Sequence, residues 1–157
     1  MAMTSDSEAY VKRMLQEGLL KSQKVEPDRI SRFLSRALKD LRTAKANLDI
    51  DEEAAYTFAY LGMLRAGRAL VFLEGYRPAG KQHHKTVVDL SGLVLGEDFK
   101  KLTRRFDAMR RKRHEFTYEP AMPVTMKEAK DALDTASLFV EKAVCLAKDK
   151  DPQISLL

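Results

Sequence analysis

What this chain lacks narrows it before any motif is sought. Cysteine occurs once, at Cys145, in 157 residues, which excludes an internal disulfide and a four-thiolate zinc site. Tryptophan is absent, proline and glycine are few, and β-branched residues are sparse; Ala, Leu, Lys, Arg and Glu dominate. These are good helix formers, so helix is expected throughout. The longest charge-free apolar stretch, residues 54–64, stops at Arg65 and is far too short to cross a bilayer. The N-terminal segment mixes Ser, Asp, Glu and Lys and offers no basic stub followed by a hydrophobic run. No signal peptide is read there, and a cytoplasmic location is expected.

What is present is charge, unevenly spread. The net charge of +5 is modest, but residues 100–113 hold eight cations against one acid, Asp107. Such a run meets phosphates, acidic partners or only water. The length suits one domain over residues 1–157 with a core of its own.

Hydrophobic periodicity orders the chain into helices. A first helix is expected from about residue 7 to 23, weakened by Gly18. A second starts at Pro27, with Ile30, Phe33, Leu34, Ala37, Leu38, Leu41, Ala44 and Leu48 on one side. Its other side carries Arg29, Arg32, Arg36, Lys39 and Lys45. Asp51 is placed to cap a third helix over about 52–74, which is apolar on two faces. Such a helix is either central in a bundle or shared with another subunit. Residues 75–80 break the chain. A short helix follows over about 83–95, then a basic helix over about 98–116, then a last one over about 125–148. In that last helix Cys145 is expected to be buried among apolar neighbours, and the tail beyond Pro152 to fray. With no strand-like alternation, the expected fold is an all-α bundle of five to six helices.

Chemical motifs are then mostly excluded. No HExxH, CxxC or EF-hand spacing occurs, no GxxxxGK[ST] or GxGxxG, and no nucleophile elbow. Neither a metal nor a cofactor is expected. His83 and His84 are adjacent and diverge by about 100° on a helix; they read as an exposed helix start, unless one of them faces the basic helix. The acidic pairs at 51–53 and 97–98 sit at helix starts, where the macrodipole accounts for them.

That leaves residues 109–118, Met-Arg-Arg-Lys-Arg-His-Glu-Phe-Thr-Tyr. Leu102, Phe106, Met109 and Phe116 form an apolar stripe, and Arg113 falls on it, where a guanidinium must find acceptors or water. Arg110, His114 and Tyr118 recur every four residues and share a face. Arginine beside a group that exchanges protons near pH 7 is the minimum kit for metal-free RNA cleavage. Arg113, His114 and Tyr118 are the candidate chemical residues, with Arg104, Arg105, Arg110, Arg111 and Lys112 as candidate nucleic-acid contacts. The alternative is a structural network in which Arg113 and Tyr118 tie helices together.

The helix order resembles that of the prokaryotic HEPN-domain family over about residues 27–148. The matching elements are the amphipathic second helix, the turn at 48–51, Ala-Ala-Tyr-Thr-Phe-Ala-Tyr at 54–60 and Gly-Tyr-Arg-Pro at 75–78. Gly-Lys-Gln-His-His at 80–84 and an arginine-bearing helix before the last one match too. The resemblance implies an all-α fold and, in active members, metal-independent ribonuclease activity across a homodimer, often with a nucleotidyltransferase as antitoxin. The family pattern, an arginine and a histidine with four to six residues between them, places Arg113 at the arginine and Tyr118 at the histidine, while Arg110 stands too close to His114, with three residues between. His114 then stands where an asparagine is usual. A phenol is a poor general base at neutral pH. The expectation is therefore an RNA- or nucleotide-binding module of a toxin–antitoxin or defence system. The alternatives are a working ribonuclease using Arg113 and His114, or a helical protein whose basic face meets an acidic subunit.

Overall fold

A computed structural model describes residues 4–156 as six helices and one two-stranded sheet. The helices are α1 (Ser5–Gln16), α2 (Pro27–Asn47), α3 (Glu52–Leu73), α4 (His83–Leu95), α5 (Lys100–Tyr118) and α6 (Met126–Lys150). Two short strands, β1 (Leu20–Ser22) and β2 (Tyr76–Pro78), pair antiparallel. The all-α expectation holds, with this small sheet as the departure from it.

Local chemistry sets the helix starts. Thr4 accepts from Ser7 N at α1, and Pro27 opens α2 with its φ already helical. Asp51 accepts from Ala54 N at 3.0 Å. Thr125 and Glu128 form a reciprocal capping box at α6, which satisfies orphan donors on both sides of the cap. The first helix ends earlier than its periodicity suggests: Gly18 adopts φ 73°, and the chain enters β1.

α3 is the central element, packed against α2, α4, α5 and α6. Its two apolar faces are thus used within one chain, with Ala59, Tyr60, Met63, Ala66 and Leu70 all buried. Small residues set the spacing. A Cβ on Gly62 would lie 3.3 Å from the Ala37 carbonyl oxygen of α2, and one on Gly67 would lie 2.7 Å from Val87 of α4.

Two sequence expectations are corrected here. Cys145 is exposed, because it falls on the outer side of α6 while Ala143 and Ala147 turn inward. The tail does not fray through its described length: Ile154 is buried and Ser155 N donates to Ser31 Oγ at 3.1 Å. Leu157 lies outside the described residues.

Candidate functional site

The loop that opens α4 is fixed by its surroundings. β1 and β2 set Leu20 opposite Pro78, and Ala79 N donates to Leu19 O at 3.0 Å. Gly80 then turns at φ 62°. A Cβ there would sit 2.9 Å from the Gly18 carbonyl oxygen, so glycine is required both for the angle and for the space. Gln82 follows at φ 61°, an uncommon conformation for a residue with a side chain. This abrupt entry starts α4 at His83 and leaves both histidines half-buried, facing α5.

His84 is held from behind. Its Nδ1 is 2.9 Å from the Tyr60 hydroxyl. Tyr60 is fully buried, its ring 6.0 Å from that of Phe106, which in turn meets Phe139 of α6 at 4.9 Å. Burial pushes the Tyr60 phenol up to about 12, although Arg110 and Arg113 pull it down, so it stays protonated at neutral pH. With the phenol donating, His84 carries its proton on Nε2 and can donate to an anion. With the phenol accepting, Nε2 holds the free lone pair of a base. Burial, followed by the charges of Arg68, Arg113, Arg110 and His83, depresses the imidazole below its ordinary value. The ring is therefore neutral at pH 7.

α5 supplies the opposite wall. Arg110, Arg113 and His114 enclose, with Gln82, His83 and His84, a cavity of about 220 Å³. That is several times the roughly 30 Å³ a water molecule occupies in the liquid, and enough for a phosphate group. Arg110 is steadied by Asp107 at 2.9 Å. The Nε atoms of Arg113 and of Arg68 on α3 are buried without a hydrogen-bond partner among the described residues. A buried guanidinium nitrogen without an acceptor costs free energy. Burial also lowers the Arg68 pKa. A donor set this cationic repels a metal ion, and the described residues contain no cluster of three or more His, Cys, Asp or Glu that could hold one.

The sequence candidates separate in space. Arg113 and His114 reach the cavity, and Arg110 joins them. Tyr118 does not: it is 75% exposed, with its ring 4.7 Å from that of His114, so it flanks the imidazole and ties no helices together. Arg111 shares Asp107 at 3.3 Å, and Lys112 bridges to Glu128 of α6 at 2.5 Å. Arg105 lines a groove with the acidic Asp131 and Asp134, and Arg104 lies in a different hollow beside Asp6 and Glu97. His83 and His84, read as an exposed helix start unless one of them faced the basic helix, both line the cavity opposite that helix. Sequence reasoning missed Tyr60 and Arg68 as part of this region. The break at residues 75–80 was the available signal, since it marks a helix start whose direction a tight loop must fix.

The fold and this cavity define an α-helical bundle with a cationic, imidazole-bearing hollow between two helices. Residues 30–149 match the family model of the HEPN domain; the chain belongs to the HEPN-domain family. No curated protein matches the chain. Membership of this family points to a nucleotide- or RNA-related function.

Proposed function

We propose that this protein is a HEPN module, one domain over the whole chain, that binds RNA or a nucleotide through a phosphate group held between α4 and α5. The observation that carries this reading is the convergence of His84, His114, Arg110 and Arg113 on one cavity. Arg113 binds the non-bridging oxygens, Arg110 screens the charge, and the imidazoles donate to the remaining oxygens. The test is anisotropy of a short labelled single-stranded RNA. Arg113→Ala removes charge-assisted bonds of about 1.5–3 kcal/mol, so affinity should fall at least about tenfold with the circular dichroism unchanged. Unaltered affinity refutes the reading.

A second reading, a metal-independent endoribonuclease, is favoured by the two imidazoles in one cavity. One would take the 2′-hydroxyl proton, the other would protonate the departing 5′-oxygen, and Arg113 would stabilise the phosphorane. Here the pair Arg113 and His114 gains His84 from α4 as a second imidazole, while Tyr118 occupies the expected histidine position on α5. Cleavage that disappears in both His84→Ala and His114→Ala supports it; full activity in either variant rules it out.

A cytoplasmic location, a homodimer, and pairing with a nucleotidyltransferase-type antitoxin in a toxin–antitoxin or defence system belong to the same proposal. The described residues include no helix long and apolar enough to cross a membrane. The dimer rests on family habit alone, since α3 is covered within the chain. Sedimentation velocity tests the dimer, and a nucleotidyltransferase-like reading frame beside the gene would support the pairing.

A further inference from the structure

A second basic surface lies apart from this cavity, on the outer side of α2. Arg29, Arg32, Arg36, Lys39 and Arg42 line a groove of about 850 Å³ together with Arg65 of α3. Glu26, at one end, is the groove's acidic lining residue. The five α2 cations recur every three or four residues, about one per turn. Over thirteen residues they extend about 20 Å along the helix at 1.5 Å per residue.

None of the five α2 cations makes a salt bridge among the described residues. Asp40, the acid beneath them, is buried and paired with Arg65. A run of unneutralised like charge along one helix face raises the free energy of the isolated protein, and a polyanion relieves it.

The groove also has an aromatic element. Phe33 is half-buried and lines it. Its ring stacks on Phe72 at 5.2 Å and 24°, and Arg29 lies 4.5 Å from the Phe72 ring centroid. Phe33 is thus braced by Phe72, in a groove that Arg29, Arg32 and Arg36 also line. Charge alone suits any acidic partner, but a fixed aromatic surface between arginines suits a chain that carries both phosphates and flat bases.

We propose that this α2 groove binds a stretch of single-stranded RNA, with the arginines and Lys39 on the phosphates and Phe33 against a base. At about 3.4 Å per stacked nucleotide, 20 Å accommodates about six nucleotides. Arg65 stands on α3, the same helix whose Tyr60 holds His84. The α2 groove and the α4–α5 cavity thus flank one central helix.

The experiment is salt-dependent anisotropy with a labelled twelve-nucleotide single-stranded RNA on the full chain. Three variants are compared: the triple Arg32→Ala/Arg36→Ala/Lys39→Ala, Phe33→Leu, and Arg113→Ala. Each single-strand phosphate contact contributes about 0.7 to the slope of log affinity against log salt, so the triple variant should lose about 2 from that slope. Phe33→Leu should weaken binding at least about fivefold with the slope unchanged. Loss in these two variants with Arg113→Ala unaffected upholds the groove and removes the cavity reading. Loss only in Arg113→Ala upholds the cavity and overturns the groove. A triple variant that loses affinity equally for RNA and for polyglutamate, with Phe33→Leu silent, also overturns it and assigns the groove to an acidic protein. All replaced α2 side chains are exposed or half-buried, and thermal melting of each variant verifies the fold.

Discussion

His84 and Tyr60 form a pair in which each side chain decides what the other can do. Tyr60 has no exposure and must place its hydroxyl on something; the His84 Nδ1 atom at 2.9 Å is that partner. Tyr60→Phe leaves the imidazole nitrogen unpaired and should cost about 1 kcal/mol in urea unfolding. The depressed pKa of His84 has a definite sign. The unfolded imidazole, near 6.5, takes up a proton before the folded one does. Its contribution to stability is complete above about 6.5 and is lost as the pH falls below that value. The urea midpoint should therefore drop between pH 8 and pH 5 more in the wild type than in His84→Gln, whose amide can still bond Tyr60. Equal drops would mean that His84 is not the group responsible. A bound phosphate reverses the bias on the imidazole, so phosphate binding should take up protons and tighten as the pH falls through the same range.

At the scale of elements, the cavity depends on how closely α4 approaches α5. Gly92 of α4 meets Thr103 of α5: an added Cβ would clash with Thr103 Cγ2 and stand 2.9 Å from its Oγ1 and 3.2 Å from its Cβ. Thr103 has little freedom to yield, because it is β-branched and its hydroxyl bonds the Phe99 carbonyl at 3.2 Å. Two effects oppose one another in Gly92→Ala. Helix propensity favours alanine by about 1 kcal/mol, while overpacking costs about 1–3 kcal/mol. With a stiff neighbour the clash wins, and the variant should be destabilised and bind phosphate more weakly. In a Thr103→Ala background the same change should become neutral or stabilising, which a double-mutant cycle in urea measures. Elements were also what the sequence made most legible. Pro27, Asp51 and Thr125 mark helix starts by local chemistry, and the periodicity of α2, α3 and α6 gives their inner faces. The partners of an element are not local information. Periodicity put Arg113 on an inward stripe, and its Nε is indeed buried, but it could not say that His84, twenty-nine positions earlier, would stand opposite. The family resemblance paired Tyr118 with Arg113 and helical register set it beside His114; its ring does lie 4.7 Å from that of His114, but the side chain is largely exposed and lines no part of the cavity. The β1–β2 pairing escaped notice because three-residue strands are too short to show alternation.

Across the whole molecule, the balance of charge is less telling than its arrangement. A net charge of +5 would bind polyanions only weakly if spread evenly. Folding sorts it: Lys112 is tied to Glu128 and Lys150 to Glu74, while the α2 groove and the α4–α5 cavity keep cations with few acids beside them. The unfolded chain has the same charges without this sorting, so a polyanion that recognises the arrangement must bind the native state preferentially. Linkage then requires a thermal shift. With single-stranded RNA at about 100 times its dissociation constant, native-state binding contributes about 2.7 kcal/mol. For a chain of this size that raises the melting temperature by about 5–10 °C. The shift should shrink as salt is added, because released counterions drive the binding. Polyphosphate of matched charge tests the origin of the effect, since it can fill both basic surfaces but cannot stack on Phe33. It should give a smaller shift than RNA at equal phosphate concentration, with the difference removed in Phe33→Leu. Equal shifts from the two polymers would mean that charge alone is recognised. No shift from either would mean that folded and unfolded chains bind alike, and that the sorting of charge by the fold has no part in recognition.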